Sequence, residues 1–177
     1  VNKLVDAISK RNDLSARYYE LKAKLLGVKK LQYHERNVSY GSLEKKYTFE
    51  KSVDLINKVF YDLSPKFAEI FNSFLTSGQI DANPKKGKRG GAACWHNLIS
   101  QPTFILLNHN NRLRDVTTIA HEVGHGINNE LIRTKQNALN FGTPISTAEV
   151  ASTFMEDFVF EKLLEDAGDE LQLQLLM

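Results

Sequence analysis

The stretch His121-Glu122-Val123-Gly124-His125 places two imidazoles four residues apart inside an apolar run. On a helix that spacing is about 40° more than one turn, so both rings project from one face within reach of a single metal ion. Neutral imidazole nitrogen suits zinc, and a catalytic zinc takes three protein ligands and leaves a fourth position to water. The intervening Glu122 is then a base for the proton of that water rather than a ligand. Hydrolysis is the chemistry such a group performs. The same five residues can also arise by chance in a helical interaction domain, so the motif needs a helix to carry it, a third ligand, and a path for substrate.

Composition narrows the setting. A chain of 177 residues suits one domain with a core large enough to need no disulfide staples. Apolar residues at 42%, charged residues at 25% and a net charge of +2 describe an ordinary soluble globular protein and call for neither nucleic acid nor a membrane. No run approaches a membrane span, and the first residues lack the order of a signal peptide. The single cysteine, Cys94, cannot form an internal disulfide, which fits a reducing, cytoplasmic setting. The chain begins at Val1 in helical pattern and ends at Met177 in an unfinished amphipathic segment, so we expect a piece of a longer protein.

The elements that must position the motif are mainly α-helical, with a small β-sheet. Leu4, Ile8, Leu14, Tyr18, Leu21 and Leu25 predict one long amphipathic helix from Val1 to about Leu26, stopped by Gly27. A second helix is expected from Thr48-Phe49-Glu50 through Leu63. A third follows with Ser64 as N-cap and Pro65 in its first turn, running to Gly78. After Gly78 the pattern shortens: Gln79 to Asp81, Ala92 to Asn97 and Thr103 to Leu107 read as short strands. The basic, turn-rich segment Asn83 to Gly91 reads as a loop, either simply solvated or letting backbone approach a substrate closely. Asp115 predicts the N-cap of a helix from Val116 to about Ile127 that carries the motif, with Asn129 to Asn140 as a polar link. A further helix is expected from near Ser146 through Leu164, ended by Gly168.

Spacing also limits the third ligand. The extension that supplies a third histidine fails, because position 128 is Asn128 and position 131 is Leu131. The other candidate is Glu149, 28 residues past His121. Ser146-x-x-Glu149 is also a capping box, so a purely structural role stays open. Glu156 returns to nearly the same helical face seven residues later, where it could hold a ligand histidine through its other nitrogen or simply face solvent. Gly90 and Gly91, with the strand through Ala92 and Ala93, could pair with extended peptide backbone, a mode that fixes a chain without reading its side chains.

Taken together, His121 to His125, the segment Glu149 to Glu156, Gly87 to Cys94 and Phe104 to Asn108 resemble the thimet oligopeptidase and oligoendopeptidase F family of zinc metallopeptidases, the oligoendopeptidase F branch in particular. The resemblance implies a gluzincin-type catalytic region in which a zinc helix is followed by a second ligand-bearing helix. It implies one zinc per chain held by His121, His125 and Glu149, with Glu122 as general base. The substrates implied are short peptides cut internally. Under this reading residues 1–177 are part of a single catalytic domain: helical over 1–77, a small sheet over 78–108, and zinc-binding helices over 115–167. Family members also use downstream tyrosine and histidine side chains that this stretch lacks, so a downstream part of the same protein is expected to complete the site. The competing readings are an inactive or structural zinc-binding helical module, and an interaction domain with an accidental motif.

Overall fold

The computed structural model of the chain describes residues 1–36, 38, 40–41 and 45–176. It is mostly helical with a small three-stranded sheet, and it divides into two compact units. The first unit comprises residues 1–43 and 167–177. Here the expected single helix is two, α1 (Asn2–Ser9) and α2 (Asn12–Leu25). The break at Lys10-Arg11 precedes Asn12 and Asp13, whose short polar side chains favour helix starts over helix interiors. Leu4, Val5 and Ile8 of α1 are all exposed, so no buried apolar seam holds the break straight. Beyond Gly27, a 3-10 turn spans Tyr33–Glu35. Asn37 and Ser39 lie outside the described residues. A final helix, α7, covers Asp169–Leu176. Among the described residues no helix is long and apolar enough to cross a membrane.

The second unit, residues 44–166, contains the motif. Helix α3 (Phe49–Leu63) starts where Thr48 accepts from the Lys51 amide, and it buries Ser52, Ile56, Val59 and Phe60 along one stripe. Helix α4 (Pro65–Thr76) begins at Pro65, whose fixed φ suits a first turn. Ser64 occupies the N-cap position, but its side chain makes no capping bond. Phe71 and Phe74 of α4 join Phe60 in the core, the Phe60 and Phe71 rings meeting edge to face at 5.7 Å.

The sheet runs β1 (Ile80–Asp81), β3 (Phe104–Leu106), β2 (Ala93–Trp95) in space. β1 lies parallel to β3, and β2 antiparallel to it with Cys94 opposite Ile105. β2 is therefore an edge strand. Ile105 and Leu107 are fully buried beneath helix α5 (Leu113–Arg133) and its neighbours.

α5 departs from the expected bounds at both ends. Asp115 is its third residue rather than its cap, and its carboxylate reaches back to accept the amides of Arg112 at 2.9 Å and Asn110 at 2.7 Å. At the far end the helix continues to Arg133, into the first part of the segment expected as a link, and the rest of that segment, to Asn140, is non-helical. Asn129 is buried and donates to Cys94 Sγ at 3.6 Å, while Glu130 accepts from Thr103 at 2.7 Å and from Arg133 at 3.0 Å. Asn129 and Glu130 read as linker because Cys94, on β2, and Thr103, just before β3, are distant in sequence. Helix α6 (Ile145–Glu165) then packs along α5.

Candidate metal centre

α5 and α6 meet at an unusually close approach, and a glycine sets it. A Cβ built on Gly124 would stand 2.8 Å from the Cα of Ser152 and 3.0 Å from the carbonyl oxygen of Ala151, both backbone atoms of α6. Only hydrogen fits there. Gly126, two residues on, faces the opposite neighbour, where a Cβ would stand 2.7 Å from the Phe74 ring. Glycine inside a helix costs about 1 kcal/mol relative to alanine. A glycine kept inside the motif helix at that cost is the mark that the sequence carries of the close approach.

The close approach brings α6 carboxylates to the α5 histidines. Glu149 Oε2 lies 3.4 Å from His121 Nε2, and Glu149 Oε1 lies 3.9 Å from His125 Nε2. One potential ligand atom from each of His121, His125 and Glu149 falls within 4.8 Å of the others. Tetrahedral zinc with bonds of about 2.0–2.1 Å wants its ligand atoms about 3.3 Å apart, a spacing the 3.4 Å His121–Glu149 pair already has, while a pair as wide as 4.8 Å has to close by about 1.5 Å on binding. The capping-box role for Glu149 does not form: α6 starts at Ile145 with Pro144 as its N-cap and no side-chain capping bond.

His121 is oriented through its second nitrogen: Nδ1 is 2.9 Å from Glu156 Oε2, which keeps Nε2 towards Glu149, the arrangement that metal-ligating histidines use. The His125 ring interacts with the Ala148 backbone, and its Nε2 lies on the Glu149 side. The rings stand edge to face at 4.9 Å. Burial, and then the neighbouring His121, push the His125 pKa down, favouring the neutral form that can donate a lone pair to a metal. Ser152 adds a hydroxyl at 3.2 Å from Glu149 Oε2.

Glu122 belongs to the same cluster. Burial raises its pKa, His121 opposes that shift, and Glu149 and Glu156 add to it. A hydrogen bond from the Cys94 backbone ties Glu122 to β2. Cys94 itself is chemically quiet: burial first, then the charge of Glu122, push its thiol up to about 12.

Of the four residues expected to meet substrate, Ala93 lies in β2, and Gly90, Gly91 and Ala92 lie in the loop leading to it. Gly91 has φ +79°, a backbone conformation that side-chain-bearing residues rarely adopt. Asn108, at the end of β3, donates to the carbonyls of Arg89 at 2.9 Å and Gly91 at 2.8 Å and so pins that loop beside β2. Lys88 anchors its other half. With its side chain only 3% exposed, it donates to the carbonyls of Asp81 and Asn83 and pairs with the Asp81 carboxylate at 3.0 Å. The basic loop is thus organised internally by one of its own lysines, which its composition did not reveal.

Comparison with known proteins gives the family of the chain. The model for peptidase family M3 matches residues 2–174. Oligopeptidase PepF of Bacillus subtilis is 31% identical over 175 residues, covering 97% of this chain and 26% of its own. An oligoendopeptidase F homologue of Lactococcus lactis is 29% identical over 167 residues, covering 94% and 28%. The chain thus spans little more than a quarter of the length of these relatives. A Chlamydophila abortus crystal structure superimposes with a TM-score of 0.78 at 29% identity, over 98% of this chain and 29% of that one. PZ peptidase A, solved with an inhibitor, shares the fold at TM-score 0.75 and 23% identity, over 90% and 30%. With the family model running through both site helices and nearly to each end, and relatives of the oligoendopeptidase F kind aligned over the same span, this chain belongs to peptidase family M3.

Proposed function

We propose that this chain carries the zinc centre of a gluzincin-type metalloendopeptidase that cuts internal bonds of short peptides. The observation that carries the reading is the convergence of His121, His125 and Glu149 donor atoms within 4.8 Å from two helices. In this reading those three residues hold one zinc per chain, and Glu156 holds His121 in its ligating orientation. Zinc bound there supplies Lewis-acid activation of a water and of the scissile carbonyl.

Glu122 does the proton work. Its carboxyl sits in a partly desolvated position where a proton is more readily held than on a free glutamate. It takes the proton of the attacking water and returns it to the leaving amine. β2 offers its outer edge, paired with no strand among the described residues, to an extended peptide that takes the place of the Cys94 backbone contact to Glu122, with the Gly90-Gly91-Ala92-Ala93 approach keeping bulk away from the incoming backbone. Recognition through backbone rather than side chains fits a peptidase tolerant of sequence. Residues 1–177 form part of one catalytic domain in this reading, and segments beyond the span described supply the rest of the substrate channel.

The test pairs metal analysis with turnover. The protein should bind one zinc per chain, and a quenched fluorescent peptide library should be cut by the wild type. Glu122→Gln should retain the zinc and lose turnover by at least about a hundredfold, the scale at which a positioned base contributes. Correctly folded protein without stoichiometric zinc, or full turnover by Glu122→Gln, would reject the reading.

A further inference from the structure

One imidazole beside the site neither holds the metal nor moves the proton. His96 directly follows β2. Trp95 stacks on Phe104 at 6.0 Å, whereas Cys94 faces α5, where Asn129 donates to its sulfur. Alternation along an extended chain places the His96 side chain on the Cys94 face, towards α5. There the Phe141 ring meets it edge-on at 6.2 Å, and Arg133 lies over the same Phe141 ring at 5.0 Å. His125 is close enough for the two imidazoles to interact electrostatically. His96 is thus fixed by buried Phe141 at the junction of the edge strand and the metal-binding helix.

Its hydrogen bonding is incomplete. Nδ1 is sealed from solvent and has no partner among the described residues, while the residue as a whole is partly exposed. A buried lone pair without a donor is more tolerable than a buried N–H without an acceptor. The neutral tautomer that fits has Nδ1 bare and the proton on Nε2, the nitrogen left to face outward.

We infer that His96 is a substrate-binding residue whose Nε2–H donates to a backbone carbonyl of a peptide lying along the free edge of β2. The inference rests on the peptidase reading. It adds a side-chain anchor at the end of the strand, where backbone pairing with β2 stops.

The test measures affinity apart from turnover. A fluorescent peptide is titrated onto the zinc-loaded protein in a Glu122→Gln background, and kcat and KM are measured with Glu122 intact. His96→Phe keeps the ring packed on Phe141 and removes the donor; His96→Gln restores an N–H near the same place. His96→Phe should weaken peptide binding and raise KM about five- to twentyfold, with kcat within about twofold and zinc content unchanged, as expected for contact made equally in ground and transition states. His96→Gln should recover most of the loss. A peptide with sulfur in place of one carbonyl oxygen should bind wild type more weakly at a single position and His96→Phe no differently. Unchanged affinity in His96→Phe, or a loss explained by zinc release or a lowered melting temperature, overturns the inference and leaves the peptidase reading intact. Wild type that neither binds nor cuts any peptide overturns the peptidase reading itself, and the inference with it.

Discussion

Gly124→Ala sets two effects of opposite sign against each other. In a helix interior the change alone stabilises by roughly 0.5–1 kcal/mol, because alanine loses less backbone freedom on folding. Against this, the new methyl would stand 2.8 Å from Ser152 Cα and 3.0 Å from Ala151 O. Carbon atoms pack best at about 3.5–4.0 Å, so α5 and α6 must separate locally by roughly 0.7–1 Å. The obstacle is backbone, which cannot rotate aside, and overpacking of this kind costs about 1–3 kcal/mol. The steric effect wins, and a chain of this size loses about 2–4 °C in melting temperature per kcal/mol of net destabilisation. The consequence at the site is larger. Glu149 and Glu156 both ride on α6, and metal sites tolerate about 0.2 Å in ligand distance. Zinc affinity, read by competition against a chromogenic chelator, should fall by tenfold or more. Gly126→Ala is the control, since its methyl meets Phe74 of α4 rather than α6. It should lower the melting temperature and leave zinc affinity within about threefold, because the displacement falls on Phe74 and not on the α5–α6 spacing that places Glu149. A Gly124→Ala protein that melts higher and binds zinc as tightly as wild type would refute the claim that this glycine sets the spacing of the two helices.

Three further outcomes follow from the same geometry. Glu156→Ala removes the acceptor 2.9 Å from His121 Nδ1, and zinc affinity should drop about 10–100-fold while thermal stability changes little; an unchanged affinity would mean the contact does not orient the ligand. Cys94, with its thiol pushed up to about 12, should carry only about one thiolate in ten thousand at pH 8. Native protein should therefore resist iodoacetamide that labels it readily in denaturant. Lys88→Met should lower the melting temperature and speed amide exchange across residues 83–91, because Lys88 is the main group holding the Asp81 carboxyl below its usual range. A depressed carboxyl pKa gives stability that is present above its unfolded value, about 4, and lost as pH falls through the folded one. The acid limb of the stability curve should accordingly flatten in Lys88→Met, and a limb as steep as wild type would contradict that role.

What the sequence by itself determined is local. Period and punctuation delimit α3 and α4, where Thr48, Pro65 and the apolar stripes act within a few residues of one another. The two imidazoles of the motif share a face because four residues nearly complete a turn, and Glu149 and Glu156 share one because seven nearly complete two. The three short strands were readable as bursts of strand formers between turn residues, though not their order β1-β3-β2. Tertiary structure decided everything that depends on distance across the chain. Whether Glu149 caps its own helix or faces His121 turned on where α6 starts and how near α5 lies, and Gly124 sets that nearness against Ser152. The polar end of α5 looked like linker because Asn129, Glu130 and Arg133 find their partners on or beside strands about 30 residues away. Lys88 and His96 likewise carry no local mark of their burial or their partners. A residue type and its spacing state what chemistry is available; only the packing of separate elements decides which groups meet.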